Sequence, residues 1–227
     1  MKTFECPIQP GWREVLALYG SLSPFFKLRF LIRWKHGNPF ERLEEQVPRD
    51  GRIIDVGCGS GFFANLLSLR VPGREVLGVD IDARQIQRAS ASVGQRQRIR
   101  FEVCDLMRES LPPCDAVIFV DVLHHLTFDQ QDHILQVCRQ ALRNGGELLV
   151  LDVDLNPRWK YWYNYIFDSL TGKFGITQGS ALSYQSAAEM SQRLKRAGFA
   201  EVGITPFAKC DLAARVLYRA VKTAKPG

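Results

Sequence analysis

Five aspartates, one glycine cluster and a pair of histidines carry most of the chemistry this sequence can do. Asp55, Asp80, Asp105, Asp121 and Asp152 each stand at or just past a short apolar run. One carboxylate in such a place is as readily a turn or a helix cap. Five along one edge would line a negative crevice, suited to a ligand that carries positive charge. The glycine cluster reads Asp55-Val56-Gly57-Cys58-Gly59-Ser60-Gly61. Small residues there let the backbone approach a ligand closely. A dinucleotide loop needs G-x-G-x-x-G, but the third required position is Phe62, and the chain has G-x-G-x-G instead. That spacing argues against NAD or FAD and for an amino acid plus nucleoside without a pyrophosphate. His124 and His125 are adjacent, and the chain has only four histidines. Imidazole titrates near neutral pH, so either could move a proton. The plain alternative is that one caps the following turn while the other packs.

These residues need a scaffold that brings them to one edge. Short β runs are expected at Arg52–Val56, Glu75–Val79, Ile99–Val103, Ala116–Val120 and Glu147–Leu151. Ala116–Val120 is apolar throughout, as a strand buried on both faces should be. Amphipathic helices are expected at Phe62–Arg70, Ala83–Ser92 and Asp129–Arg143, the last closed by Asn144-Gly145-Gly146 in a left-handed cap. A helix at Ser186–Ala197, capped by Gly198, and two strands at Glu201–Pro206 and Ala214–Val221 are expected after them. Strands alternating with helices imply a doubly wound, mostly parallel α/β sheet, with ligands beyond the strands' carboxyl ends.

The run Ile53-Ile54-Asp55-Val56-Gly57-Cys58-Gly59-Ser60-Gly61 resembles motif I of the class I S-adenosylmethionine-dependent methyltransferases. Gly78-Val79-Asp80-Ile81-Asp82 is similar to their second motif, whose acid holds the ribose hydroxyls. Cys104-Asp105-Leu106 is similar to the third, whose acid meets the adenine amino group. Asp121-Val122-Leu123-His124-His125-Leu126 resembles the segment after strand four in the small-molecule branch, and Leu142–Leu148 the turn into strand five. The likeness covers about residues 45–155. It implies a Rossmann-like methyltransferase fold of seven strands, six parallel and the last inserted antiparallel. S-adenosyl-L-methionine is the implied cofactor, held by Asp55, Gly57, Cys58, Gly59, Gly61, Asp80, Ile81, Asp105, Leu106 and Asp121. Its sulfonium and ammonium suit a carboxylate-lined crevice, Asp80 can accept both hydroxyls of a diol, and Asp105 can accept from an adenine amine. The segment after strand four faces the transferable methyl in this family. That implies His125, or failing it His124, as general base, with Asp121 orienting the ring.

The acceptor is read from the aromatic residues. All four Trp and all six Tyr lie outside residues 51–155, and six of the nine residues from Trp159 to Phe167 are aromatic. Trp159, Trp162 and Tyr163, with Phe26 and Phe30 from the N-terminal side, would form an apolar lid over an acceptor pocket. The alternative is that these rings pack two helical caps onto the sheet. The expected organisation is a helical cap over residues 1–50 and a cofactor-binding domain over 51–227, with a substrate-covering insertion at about 156–184. The expected substrate is a hydrophobic or amphipathic small molecule such as a polyketide, quinone-like or lipid metabolite, O-methylated in preference to C-methylated. Two other readings stand beside it: a catalytically inactive S-adenosylmethionine-binding adaptor, and an RNA methyltransferase. The base-methylating (N/D)PP(Y/F) segment is absent after strand four, and Pro113-Cys114 precedes that strand, so nucleic acid is not the expected partner.

Composition agrees with a globular enzyme. The 227 residues are 46% hydrophobic and 24% charged, which argues against disorder. No apolar run approaches the ~20 residues of a membrane span. The start of the chain lacks the features of a signal peptide, so a cytoplasmic protein is expected. The six cysteines contain no CxxC pair and read as reduced thiols, with no metal site. The net charge of +6 is gathered in stretches such as residues 22–36, with four cations and no acid. Interleaved with aromatics, these cations also suit contact with an anionic membrane surface.

Overall fold

A computed structural model of the chain describes residues 11–20, 24–32, 40–155, 182–207 and 215–223. Three helices come first: α1 (Trp12–Ala17), α2 (Pro24–Ile32) and α3 (Phe40–Glu44). Then β1 (Arg52–Val56), α4 (Phe62–Arg70), β2 (Glu75–Asp80), α5 (Ala83–Ala91), β3 (Ile99–Val103) and β4 (Cys114–Val120) follow. A 3-10 turn at Leu123–His125 leads into α6 (Phe128–Ala141), β5 (Leu142–Val153), α7 (Ala187–Arg196), β6 (Glu201–Pro206) and β7 (Arg215–Val221). The strands form one sheet in the order β3-β2-β1-β4-β5-β7-β6. β7 runs antiparallel to both neighbours and the other pairings are parallel, as the resemblance implies. The order reverses between β1 and β4, so a crevice opens beyond their carboxyl ends.

Each face of the sheet is covered. Ile53, Val76, Ile118 and Leu149 pack with Phe63 and Leu66 of α4 and with residues of α1–α3 and α5. Ile54, Leu77, Val117 and Val150 pack with Ile134 and Leu135 of α6 and Met190 and Leu194 of α7. Burial of both faces explains why the central strands are continuously apolar rather than alternating. Helix starts are fixed locally. Thr127 and Gln130 form a reciprocal capping box on α6, as do Ser186 and Glu189 on α7, while Asp82 accepts the Arg84 N–H at the start of α5.

The structure departs from the sequence reading around strand five. α6 stops at Ala141, and Leu142 turns to extended geometry (φ −63°, ψ 135°) and pairs with Cys114. Asn144-Gly145-Gly146 therefore lies inside β5 rather than capping a helix. Its backbone bonds go to the end of β7, Gly145 N to Lys222 O at 2.8 Å and Lys222 N to Gly146 O at 2.9 Å. Those long-range bonds replace the local cap. β4 likewise starts two residues early, at Cys114, a buried core thiol.

The N-terminal helices dock on α4 beside the glycine loop. Tyr19 and Phe26 meet Phe62 at ring separations of 5.2 and 5.6 Å, and Phe30 meets it edge-on at 4.6 Å. The Tyr19 hydroxyl donates to Ser60 O (2.5 Å) and accepts from Asn65 Nδ2 (2.8 Å). Glu44 and Arg74 form a buried ion pair at 2.5 Å, with Arg74 also donating to the carbonyls of Pro48 and Val47.

Candidate functional site: the rim of the switch point

One side of the crevice is built by the loop after β1. A Cβ on Gly57 would come within 2.6 Å of Val122 Cγ2, so only glycine lets this loop lie against the segment after β4. Gly59 adopts φ +54°, which favours glycine, and the space beside it is open. Its N–H donates to Asp80 Oδ2 at 2.8 Å, while the Asp82 N–H donates to Oδ1 at 2.9 Å. Each Asp80 oxygen thus takes one backbone donor and keeps a lone pair for a further one. Asp55 is buried inside β1. The Cys58 thiol is pushed well up, first by burial and then by the carboxylates of Asp55 and Asp80.

Next along the edge, Asp105 accepts the Met107 N–H at 3.0 Å and lies 3.5 Å from Arg108. Leu106 is buried, while Ile81 is 60% and Met107 41% exposed. Apolar side chains left open beside two carboxylates suit a flat base flanked by polar groups. An open glycine cradle, a carboxylate with free lone pairs and this apolar pair have the chemistry that S-adenosylmethionine would need.

The other half of the rim is the histidine turn. His124 is 4% exposed. Its Nδ1 lies 2.5 Å from Asp152 Oδ1, and its backbone N–H donates to Asp152 Oδ2 at 3.2 Å. An ionised carboxylate only accepts, so Nδ1 carries the proton and Nε2 is the basic nitrogen. The ring stacks on Tyr184 (5.2 Å, 8° between planes) and leans on half-buried His125 at 4.0 Å. The turn is tied from beneath. Gln131 Nε2 donates to Leu123 O and Leu126 O, Gln185 Nε2 donates to Gln131 Oε1, and Ser183 N donates to His124 O. A cavity of about 10 Å³, enough for one water, lies between His124, Asp152, Gln185 and Tyr218.

The five carboxylates are therefore not alike. Asp121 is clasped by Arg215, and the acid that holds a histidine ring is Asp152, reached from the next strand. Phe30 is fully buried against Phe62 and Phe26 packs on the same ring, so both dock the N-terminal helices. Packing, the alternative reading of these rings, accounts for their position. Trp159, Trp162 and Tyr163 lie outside the described residues. Sequence reasoning missed Arg215, named Tyr184 only as a fallback base, and saw Asp152 only as one acid among five. The Asp121–Arg215 contact spans 94 residues, and no local pattern announces it.

Residues 53–146 match the family model described as a methyltransferase domain. Acetylserotonin O-methyltransferase of Bos taurus is 35% identical over 101 residues, 44% of this chain and 29% of that one. A tRNA U34 carboxymethyltransferase of Shewanella is 31% identical over 169 residues, 66% of this chain and 49% of that one. In fold, the chain is similar to an O-methyltransferase family 2 protein of Planctomyces limnophilus solved with apigenin (TM-score 0.70, 21% identity, 88% of this chain and 61% of that one). Fold, glycine loop and spaced acids define an α/β methyltransferase architecture. The matched domain, these relatives and the fold support a class I S-adenosylmethionine-dependent methyltransferase, an enzyme class whose cofactor is S-adenosylmethionine. The chain spans about half the length, or less, of the first curated relatives it matches.

Proposed function

We propose that this chain methylates a hydroxyl of an apolar or amphipathic small molecule, with His124 as general base. The observation that carries the reading is the buried Asp152–His124 pair, on the turn whose neighbouring Val122 lies against the glycine loop. S-adenosylmethionine supplies an electrophilic methyl on a sulfonium. Asp80, Asp105 and the loop from Gly57 to Gly61 hold the cofactor. A hydroxyl acceptor must lose its proton as it attacks, and Nε2 of His124, which the free protein buries, is the basic atom proposed to take it once the turn opens to the acceptor. The Asp152 carboxylate fixes the tautomer and steadies the imidazolium that forms. The remaining task is alignment of the reacting atoms at roughly 3–3.5 Å and exclusion of water. The aromatic insertion at about 156–184 is the proposed cover. The acetylserotonin relative, an O-methyltransferase by name, supports the acceptor class.

Metabolites from cells with and without the chain, compared by mass spectrometry, test the reading. A pair of compounds differing by one CH₂, lost in His124→Ala cells, is expected. An unchanged metabolite profile would favour the inactive adaptor. His125 is the more exposed ring of the two, and that favours it as a second candidate base. Full turnover in His124→Ala with loss in His125→Ala would assign the proton to His125. The tRNA carboxymethyltransferase relative favours a second acceptor class, RNA. Tight RNA binding with a steep salt dependence would support that class instead.

A further inference from the structure

Asp121 is the one non-glycine residue among those described that has a positive φ, +54°. It stands between β4 and the histidine turn. Its N–H donates to Leu151 O at 2.9 Å. Its carboxylate takes a two-point grip from Arg215, with Nε to Oδ1 at 2.9 Å and Nη2 to Oδ2 at 3.0 Å. Both side chains are shielded, 14% and 9% exposed. Aspartate tolerates the left-handed region better than most residues, but such a conformation persists only when its surroundings over-determine it.

The conformation matters because of the residues that Asp121 aims. Val122 is the side chain that fills the space a Cβ on Gly57 would need, so the segment touches the cofactor loop. Val122 O accepts the His125 N–H at 3.1 Å, and Leu123–His125 form the 3-10 turn. A change of backbone at Asp121 would swing the histidines relative to the glycine loop. Arg215 is well placed to prevent it. As the first residue of β7 it pairs in register with Val153, directly after the Asp152 that holds His124.

We infer that Arg215 is a positioning residue for methyl transfer: its fork clamps Asp121 in the left-handed conformation and so locks the histidine turn to the cofactor loop. The inference rests on the methyl-transfer reading above. A guanidinium can make both bonds in one plane, and an ammonium cannot, so lysine should replace arginine only in part.

The test uses the full chain with ¹³C-labelled histidine, the imidazole signals assigned from His124→Gln and His125→Gln, and S-adenosylmethionine as the probe. In the wild type, cofactor addition should shift both signals and leave one sharp signal per ring. In Arg215→Met the dissociation constant should change by less than about threefold while the histidine signals broaden or stop responding, and in Asp121→Asn the histidine signals should do the same. Arg215→Lys should fall between. Asparagine keeps the tolerance for positive φ, so Asp121→Asn carries the test if Arg215→Met does not fold. If both variants respond to cofactor as the wild type does, Arg215 is only a strand tie and the inference fails. If the wild type itself binds no S-adenosylmethionine, the methyl-transfer reading fails first and the inference falls with it.

Discussion

Asp80 and Asp152 show how one residue type serves two ends of a rim. Asp80 takes backbone donors of the glycine loop and of Asp82, and its remaining lone pairs are proposed to accept from the ribose diol. Asp80→Ala should weaken S-adenosylmethionine binding by roughly ten- to hundredfold, the worth of a charge-assisted bond of about 1.5–3 kcal/mol. Isothermal calorimetry reads this directly, and equal affinities would remove Asp80 from the cofactor site. Asp152 faces inward to His124 Nδ1 instead. Asp152→Asn leaves the shape but allows the ring to present either tautomer. Turnover should then fall by up to the ~10²–10⁴ that base catalysis contributes, with cofactor affinity nearly intact. A turnover unchanged across the acid limb of the pH–rate profile would detach this pair from the chemistry.

Among the elements, the parallel half was legible because its signals are local. An apolar five-residue run, a glycine cluster and an amphipathic helix repeat within about thirty residues, the length of a βαβ unit. β1, α4 and β3 fall on their expected residues. The start of β5 was misread because Asn144-Gly145-Gly146 suits a helix cap, and only the distant Lys222 decides otherwise. The Asp152–His124 and Asp121–Arg215 pairings were hidden for the same reason: partners on different strands leave no spacing to read. The N-terminal helices are held by two buried polar ties that can be probed. Tyr19→Phe removes the hydroxyl between Ser60 O and Asn65, with a cost of about 1–2 kcal/mol visible as a lower denaturant midpoint. Glu44→Gln leaves Arg74 buried without its counter-charge and should cost about 3–5 kcal/mol on the same assay. A midpoint within error of wild type for Glu44→Gln would show that α3 contributes little to holding the fold.

At the scale of the molecule, burial rather than redox chemistry governs the thiols among the described residues. Cys58, Cys104, Cys114 and Cys138 are free. Burial pushes Cys104 up to about 11 and Cys114 up to about 12, and raises Cys58 and Cys138 as well. At pH 8 a thiol titrating near 11 is only about one part in a thousand thiolate. Iodoacetamide should therefore leave these four unlabelled in peptide maps of the native protein and label them all after unfolding. Fast native labelling of Cys114 would mean that β4 opens readily. The position of β7 reaches further, into how competence for chemistry is gained and lost. The half of the rim proposed to hold the cofactor is assembled from neighbours in sequence, since β1 and β2 pair within residues 52–80. β7 must instead slot between β5 and β6, and its first residue supplies the fork on Asp121. Contacts of such long separation form late and open early. A partly folded chain would on this account grip its cofactor before its histidines are set, so that methyl transfer is the last property to arrive and the first to go.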